Sequence, residues 1–361
     1  MSTSQNKDSQ FLKLAFYQAE INLGSTSSNP SVGCVIVKND SVISSGRTSY
    51  NGRPHAEANA LNKNINFNGS KIYVTLEPCS HYGKTPPCVK KIINKKLHNV
   101  IFSINDLDIR SRNLAHKNLK KKKIKVKKFI LKKYGEKFYK SYFLQSLKQI
   151  PFIDAKLAIS NDYLTIDNKK KWITNIRSRK VGNFLRSQYD CILSTAATIN
   201  YDNSMLNCRI ESLEKKSPAV IIIDRSFKIK KNLKIFKDKS RDIFIFTQQN
   251  DFFKEKYFNK IGVNIVKLKK TENSKNDMLD VYHFLKQLGF NRILIESGIK
   301  YINEVLKYNL IKNFYLFKSS LNLKKNGKNN ASSNLIRKLQ TTIKNKVKIS
   351  LNNDSLYKIE L

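Results

Sequence analysis

Apolar residues recur at positions 11, 12, 14, 15, 16 and 19, which predicts an amphipathic helix over Phe11 to Leu23 that stops at Gly24. A turn-rich loop, Ser25 to Pro30, follows it. Val32 to Val37 is a continuous apolar run, the pattern of a buried strand. Asn39-Asp40 then supplies a hairpin turn, and Ser41 to Ser45 the partner strand. His55 opens a helix directly after Pro54, a position that tolerates proline. From there the periods alternate. Strands are predicted at Lys71 to Leu76, Val100 to Ile104 and Ile124 to Leu131, and helices at Cys88 to Lys96, Arg112 to Lys121 and Tyr134 to Leu147. Alternating strands and helices imply an α/β sandwich.

Gln149-Ile150-Pro151 reads as a junction, giving expected domains at residues 1–148 and 149–361. Beyond it, strands are expected at Phe152 to Ile159, Cys191 to Leu193, Ala219 to Asp224, Asp242 to Thr247, Asn264 to Leu268, Arg292 to Glu296, Phe314 to Lys318 and Leu356 to Leu361. Helices are expected at Arg177 to Gln188, Asp277 to Leu288 and Ile299 to Tyr308. This is a second α/β unit. It has no Gly-x-Gly-x-x-Gly after a strand and no complete P-loop, so the ordinary dinucleotide fold is not indicated. Glu296-Ser297-Gly298 sits where a strand turns into a helix, with Ser297 as the expected N-cap, and helix starts of this kind suit phosphates.

Composition narrows the class. No apolar run approaches the roughly 18 residues of a membrane span, and the polar start Met1 to Gln10 does not resemble a signal peptide. Five cysteines, an odd number, fit a reducing cytoplasm better than a disulfide framework. The formal charge of +41 is spread over nearly the whole chain among abundant asparagine and isoleucine. That is the pattern of solvated lysines, and no specific nucleic-acid partner is expected. A homo-oligomer is left open.

The chemistry concentrates in two short stretches. His55-Ala56-Glu57 opens one helix, and Cys79 and Cys88 bracket a loop between a strand and the next helix. One imidazole and two thiolates suit Zn²⁺ with a fourth position left for water. Glu57, two residues from His55, is placed to move protons at that water without binding the metal. This is the arrangement of zinc deaminases. Eight residues separate the cysteines, where many such enzymes have two, and they include His81, Lys84, Thr85 and two prolines. A stiff, charged loop beside the metal suits a substrate with an anionic group.

Thr75-Leu76-Glu77-Pro78-Cys79-Ser80-His81, continuing Gly83-Lys84-Thr85-Pro86-Pro87-Cys88, resembles the deaminase signature of the bifunctional riboflavin-biosynthesis deaminase–reductase family. Asn29 to Val37 and Pro54 to Glu57 are similar to its other deaminase blocks. The resemblance implies zinc on His55, Cys79 and Cys88, a proton shuttle at Glu57, and substrate contacts at Asn29, His81 and Lys84. In the second half, Ala155 to Ser160, Trp172-Ile173-Thr174, Leu193 to Thr198, Asp202, Ile222 to Asp224 and Glu296-Ser297-Gly298 are similar to the family's reductase. That half implies a dihydrofolate-reductase-like α/β fold following a cytidine-deaminase-like α/β/α sandwich. It also implies NADPH contacts at Ala158, Trp172, Thr198, Asp202, Gly298, Ile299, Lys300, Tyr301, Ile302, Asn303 and Glu304. Substrate contacts would fall at Lys170, Arg186, Leu206, Arg209 and Glu296, with the two arginines suited to a phosphate.

The implied activity is deamination of 2,5-diamino-6-(5-phosphoribosylamino)pyrimidin-4-one, then reduction of its ribosyl group to ribityl. The chain departs from the family at Asn105 to Arg112, which lacks the expected prolines and glycines and offers Arg110 and Arg112 as substitute phosphate partners. It departs again at Lys170, where a small hydroxyl residue is usual, and at Ile299-Lys300-Tyr301. Two alternatives follow: a deaminase with a degenerate reductase-like domain, and a nucleic-acid base deaminase.

Overall fold

A computed structural model describes residues 3–148, 150–269, 274–331 and 346–361 of the chain. The N-terminal apolar stripe becomes α1 (Thr3–Ile21), which starts eight residues earlier than its periodicity suggests. The extra polar turns are held by tertiary bonds: buried Asp8 accepts from Tyr73 Oη at 2.8 Å and from Lys127 Nζ at 2.8 Å. A pattern search sees no apolar period there because the anchor is a single carboxylate.

The apolar run forms β1 (Gly33–Lys38) and pairs antiparallel with β2 (Ser41–Arg47). Asn39 and Asp40 both take positive φ in the turn, as a two-residue hairpin requires. Short α2 (Ala56–Leu61) follows, then β3 (Lys71–Leu76), α3 (Cys88–Asn94), β4 (Asn99–Ile104), α4 (Leu114–Lys121) and β5 (Lys125–Lys128). The sheet order is β2-β1-β3-β4-β5, with β3, β4 and β5 parallel. The helix expected over Tyr134 to Leu147 is instead two, α5 (Lys132–Phe138) and α6 (Lys140–Lys148). The break falls at Tyr139, whose buried hydroxyl bonds Thr75 Oγ1 at 2.6 Å and the Ser31 carbonyl at 3.1 Å. Reaching those partners takes precedence over continuing one helix.

The two faces of this sheet are set by glycines. A Cβ on Gly33 would run into the Ala15 carbonyl of α1, and one on Gly46 into the backbone of Ala56 and Ala60 in α2. Helix α1, with α5 ringed against it through Phe16, Tyr134 and Phe138, covers one face, and α2 and α3 stand on the other. The product is an α/β/α sandwich.

The second unit begins with β6 (Phe152–Ile159), β7 (Leu164–Asp167), α7 (Ile176–Arg186), β8 (Cys191–Thr195), α8 (Ala196–Asp202) and β9 (Ala219–Ile223). It continues through β10 (Ile243–Thr247), α9 (Phe252–Lys260), β11 (Asn264–Lys267), α10 (Ser274–Gln287), β12 (Arg292–Ile295), α11 (Ile299–Lys307), β13 (Asn313–Lys318), β14 (Gly327–Asn330) and β15 (Ser355–Glu360). The main sheet runs β11-β10-β9-β8-β12-β6-β13-β15 and is parallel except at β15. Its strands are buried on both faces, so they read as unbroken apolar runs such as Ala219–Ile223.

Four elements carry no periodic signal and are additions to the expected set. Helix α8 is too short, and α9 leaves Phe252 and Phe253 exposed. Strands β7 and β14 are largely polar and pair only with each other. The contacts divide the chain into two units, Met1–Lys148 and Gln149–Leu361; Gln149, the first residue of the expected junction, lies outside the described residues. Among the described residues no helix is long and apolar enough to cross a membrane.

The glycine contact in the first unit yields a direct test. Gly33→Ala forces α1 off the sheet and should lower stability by about 3 kcal/mol. A melt of the variant followed by circular dichroism, with wild type alongside, reads the change.

Candidate active site

Strand β3 ends at Leu76, and the chain after it turns out of the sheet toward the start of α3. Cys79 lies on that turn and Cys88 is the first residue of α3. His55 is the N-cap of α2 rather than a member of its first turn, with extended backbone that aims the ring across the sheet end. Its Nδ1 lies 3.6 Å from Cys79 Sγ and 3.5 Å from Cys88 Sγ. The three ligand atoms fall within 4.8 Å of one another. An imidazole nitrogen and two sulfurs that close are the donor set of a tetrahedral zinc site, so the residues fit the ion. The Cys88 N–H donates to Cys79 Sγ at 3.3 Å, a charge-assisted bond to a thiolate at a helix start. The adjacent Cys88 thiol, aided by His55, pulls Cys79 down to about 4 despite its burial. The same contact and burial hold Cys88 up.

Glu57 is 3% exposed, in the first turn of α2 behind the ligands. Burial, then the charge of Cys79, pushes its carboxyl up to about 7. A buried carboxyl titrating near neutrality is the form a proton carrier needs. The loop leading to His55 is pinned by Asn59, whose Nδ2 donates to the Arg47 carbonyl at 2.7 Å and to Ser49 Oγ at 2.8 Å. Asn29 is half-buried on the same side, and its Nδ2 donates to the Gly52 carbonyl at 3.2 Å. Gly52 takes φ +85°, and a Cβ there would strike the Asn29 side chain, so only glycine fits.

His81 is fixed by a residue that motif reading passed over. Ser111 Oγ, fully buried, lies 2.8 Å from His81 Nδ1 and accepts from the Ser80 N–H at 3.2 Å. Ser111 sits in the segment that lacks the family's prolines and glycines. That segment is held instead by Glu77, which accepts the N–H groups of Asp106, Asn113 and Ala115. Arg110 is not a free phosphate partner, because Asp108 engages its guanidinium by a paired contact at 2.9 and 2.6 Å. Arg112 and Lys84 are exposed.

In the second unit the implied residues gather at the C-terminal ends of β8, β12 and β6, three neighbours in the sheet. Ligands of open α/β sheets bind at that edge. Gly298, not Ser297, is the N-cap of α11, and its N–H donates to Thr198 Oγ1 at 2.9 Å. Ser297 instead turns to Thr195 Oγ1 at 3.1 Å, and Thr195 caps α8. Two helix starts and three hydroxyls thus surround a backbone with no side chain at Gly298, a cradle that suits the pyrophosphate of a dinucleotide. The Ser/Thr at a strand end before Ala-Ala-Thr was the legible sign of α8.

Glu296 accepts from Arg186 Nε at 2.6 Å and Nη2 at 3.0 Å, and Lys156 Nζ lies 3.6 Å away. Arg186 also donates to Asn183 Oδ1 and to the Asn207 carbonyl, so its fork is spent inside the protein. Burial alone would raise Glu296, but Arg186 and Lys156 outweigh it and hold the carboxyl at about 2. Arg209 is exposed beside this pair and is the arginine left facing outward. Asp202 is exposed at the end of α8 and feels the charges of Lys156 and Lys171.

Leu206 is buried with φ +50° and its carbonyl accepts from Arg241 Nη1 at 3.0 Å, and Ile302 is fully buried. Ile299 and Tyr301 are buried as well, Lys300 is exposed, and Asn303 and Glu304 are half-buried, Glu304 accepting from Ser274 Oγ. Ala158 is half-buried near the end of β6. Trp172 is 46% exposed, with the Arg179 guanidinium 5.1 Å over its ring, so it is not a core residue. Lys170 is exposed.

The first unit, with an imidazole–dithiol set and a buried glutamate on an α/β/α sandwich, is of the zinc-deaminase class. Residues 5–104 match the cytidine and deoxycytidylate deaminase zinc-binding region, and residues 151–347 match the RibD C-terminal domain. The chain belongs to the RibD family. It is 32% identical to the riboflavin biosynthesis protein RibD of Buchnera aphidicola subsp. Baizongia pistaciae over 86% of each chain. It is 29% identical to the RibD of Aquifex aeolicus over 83% of each. Its fold superposes on the Thermotoga maritima diaminohydroxyphosphoribosylaminopyrimidine deaminase/5-amino-6-(5-phosphoribosylamino)uracil reductase with a TM-score of 0.82, 24% identity and 99% of each chain covered. Acinetobacter baumannii RibD gives 0.81 at 24% identity and the same coverage.

Two measurements follow from this geometry. Metal analysis should find about one zinc per wild-type chain and little in Cys79→Ser or Cys88→Ser, because three ligands are the minimum of such a site. Glu296→Gln leaves Arg186 buried without its counter-charge and should cost about 3 kcal/mol at neutral pH. Glu296 titrates at about 2 against an ordinary 4.5, so its stabilisation is present above pH 4.5 and is lost as pH falls toward 2. Urea unfolding followed by Trp172, the sole tryptophan and a reporter of the second unit, should show the variant's deficit shrink as the pH is lowered through that window.

Proposed function

We propose that residues 1–148 deaminate 2,5-diamino-6-(5-phosphoribosylamino)pyrimidin-4-one and that residues 149–361 reduce the product's ribosyl group to ribityl with NADPH. The observation that carries this is the meeting of His55, Cys79 and Cys88 within 4.8 Å in a chain of the RibD family. Zinc on those three residues supplies Lewis-acid activation of a water at neutral pH.

Glu57 accepts a proton from the attacking water and returns it toward the ring nitrogen and the departing ammonia. Its burial behind the ligands, in the first turn of α2, suits it to both transfers. Asn29 is held by Gly52 to face the pyrimidine, and His81, oriented by Ser111, faces the substrate's far side with Lys84 beside it.

In the second unit NADPH supplies the hydride, and the protein holds the acceptor carbon against it. Ile299, Lys300 and Tyr301, in the first turn of α11 after the Gly298 cap, receive the cofactor's phosphates with Thr198, Ile302 to Glu304 follow them along the helix, and Ala158, Trp172 and Asp202 complete the cofactor wall. Arg209, exposed beside the Glu296 pair, holds the substrate, and Leu206 and Lys170 are assigned to it by the family resemblance alone. Arg186 acts by fixing Glu296, whose carboxylate is thereby kept charged toward the substrate. The five free cysteines and the demand for NADPH support a cytoplasmic enzyme.

A coupled assay tests the whole reading: the diaminopyrimidine phosphate is supplied with and without NADPH and the products are weighed by mass spectrometry. Deaminated product without NADPH and ribityl product with it are expected. Glu57→Gln should retain zinc and lose at least about 100-fold in deamination. Undiminished turnover in that variant rules out the proton-carrier role, and silent NADPH oxidation with the deaminated intermediate rules out the reductase.

A further inference from the structure

The loop between the two cysteine ligands is tied to the segment that precedes the histidine ligand. Arg53 Nη1 donates to Thr85 Oγ1 at 2.7 Å, which swings the guanidinium across the loop at Gly83. A Cβ built on Gly83 would lie 3.6 Å from Arg53 Nη2 and 3.9 Å from His81 Nε2. Those two nitrogens therefore converge on one point above a bare Cα. Neither has a hydrogen-bond partner among the described residues, although each side chain is held firmly at its other nitrogen, Arg53 by Thr85 and His81 by Ser111.

Lys84 follows directly and is exposed on the same loop. Asp108, whose charge reaches His81, is already engaged by Arg110 and does not fill the position. Positioned donors, a cation and space with no side chain make a seat for a tetrahedral anion.

We propose that Arg53 is a specificity-determining residue of the deaminase and that it binds the substrate's phosphate, together with His81 and Lys84, over the bare Cα of Gly83. This rests on the deaminase reading above, which already gives His81 and Lys84 to the substrate, and adds Arg53 and the room over Gly83 to it. Gly83 is kept small to leave room for the anion, since its φ is not one that excludes other residues.

The test uses zinc-loaded full-length protein labelled with ¹³C at histidine Cε1, with the His81 resonance assigned by its absence in His81→Gln. Ribose 5-phosphate is titrated into wild type, Arg53→Gln, Arg53→Lys and Gly83→Ala. The His81 resonance should move in wild type, move with affinity weakened about tenfold in Arg53→Gln and Gly83→Ala, and recover in part in Arg53→Lys. In steady-state deamination the same two variants should raise KM by a similar factor, the change falling on KM rather than kcat, at unchanged zinc content. A His81 resonance that stays still in wild type, or shifts equally in all four proteins, overturns the proposal. So does a loss confined to kcat or accompanied by loss of zinc, which would make Arg53 only a brace for the loop. A moving resonance in a protein that does not deaminate leaves the phosphate site standing and removes the activity assigned to it.

Discussion

Two sulfurs and one imidazole nitrogen have to meet within a few ångströms, and they come from three separate places in the chain. Two thiolates that close would repel each other, so before the ion arrives the pair shares a proton, Cys79 held low and Cys88 held up, and the fold keeps them together. It does so with backbone. The first N–H of α3 donates to Cys79, and the N-cap position sets His55 outside its helix and aimed inward. The rest of the first unit serves that meeting. The end of β3 presents the cysteine loop, α2 on β1 and β2 presents His55, Asn59 pins the entry to His55, and the glycines at 33 and 46 let α1 and α2 lie close against the sheet. Glu57 acquires its shifted carboxyl as a by-product of the same close packing, because α2 has nowhere to put it but behind the ligands.

The second unit solves a different electrostatic problem. In a chain of formal charge +41, acidic side chains are scarce, and those that are buried carry specific partners. Glu296 holds Arg186 and faces Lys156 at the strand edge, while the hydroxyls of Thr195, Thr198 and Ser297 line the neighbouring helix starts. Most of the lysine excess is elsewhere, on solvated faces such as β5, and takes no part in either site.

Strong apolar runs made much of the architecture legible. Strands β3 and β6 fall at their expected limits, and the hairpin turn at Asn39-Asp40 takes the positive φ angles those residues favour. Elements without an apolar period were not legible from pattern, α8 apart, whose cap residue Thr195 marks it. The polar start of α1 depends on Asp8 reaching Tyr73 and Lys127, and the break at Tyr139 depends on one hydroxyl reaching Thr75. Strands β7 and β14 exist only as each other's partners.

The meeting of His55, Cys79 and Cys88 and the place of Glu57 beside them were legible in the sequence, because His55-Ala56-Glu57 and the Cys79–Cys88 loop carry their spacing along the chain itself. What tertiary structure decided is which charged groups are free. Arg186 and Arg110 both look like phosphate partners in the sequence, and both are spent on carboxylates, Glu296 and Asp108. Arg53, with no motif to mark it, is turned toward His81, and Ser111, from a segment that departs from its family, orients that histidine. Spacing along a chain determines what one helix turn or one loop can present together. Whether a side chain meets a ligand or another residue depends on partners tens of residues away, and only packing brings those into reach.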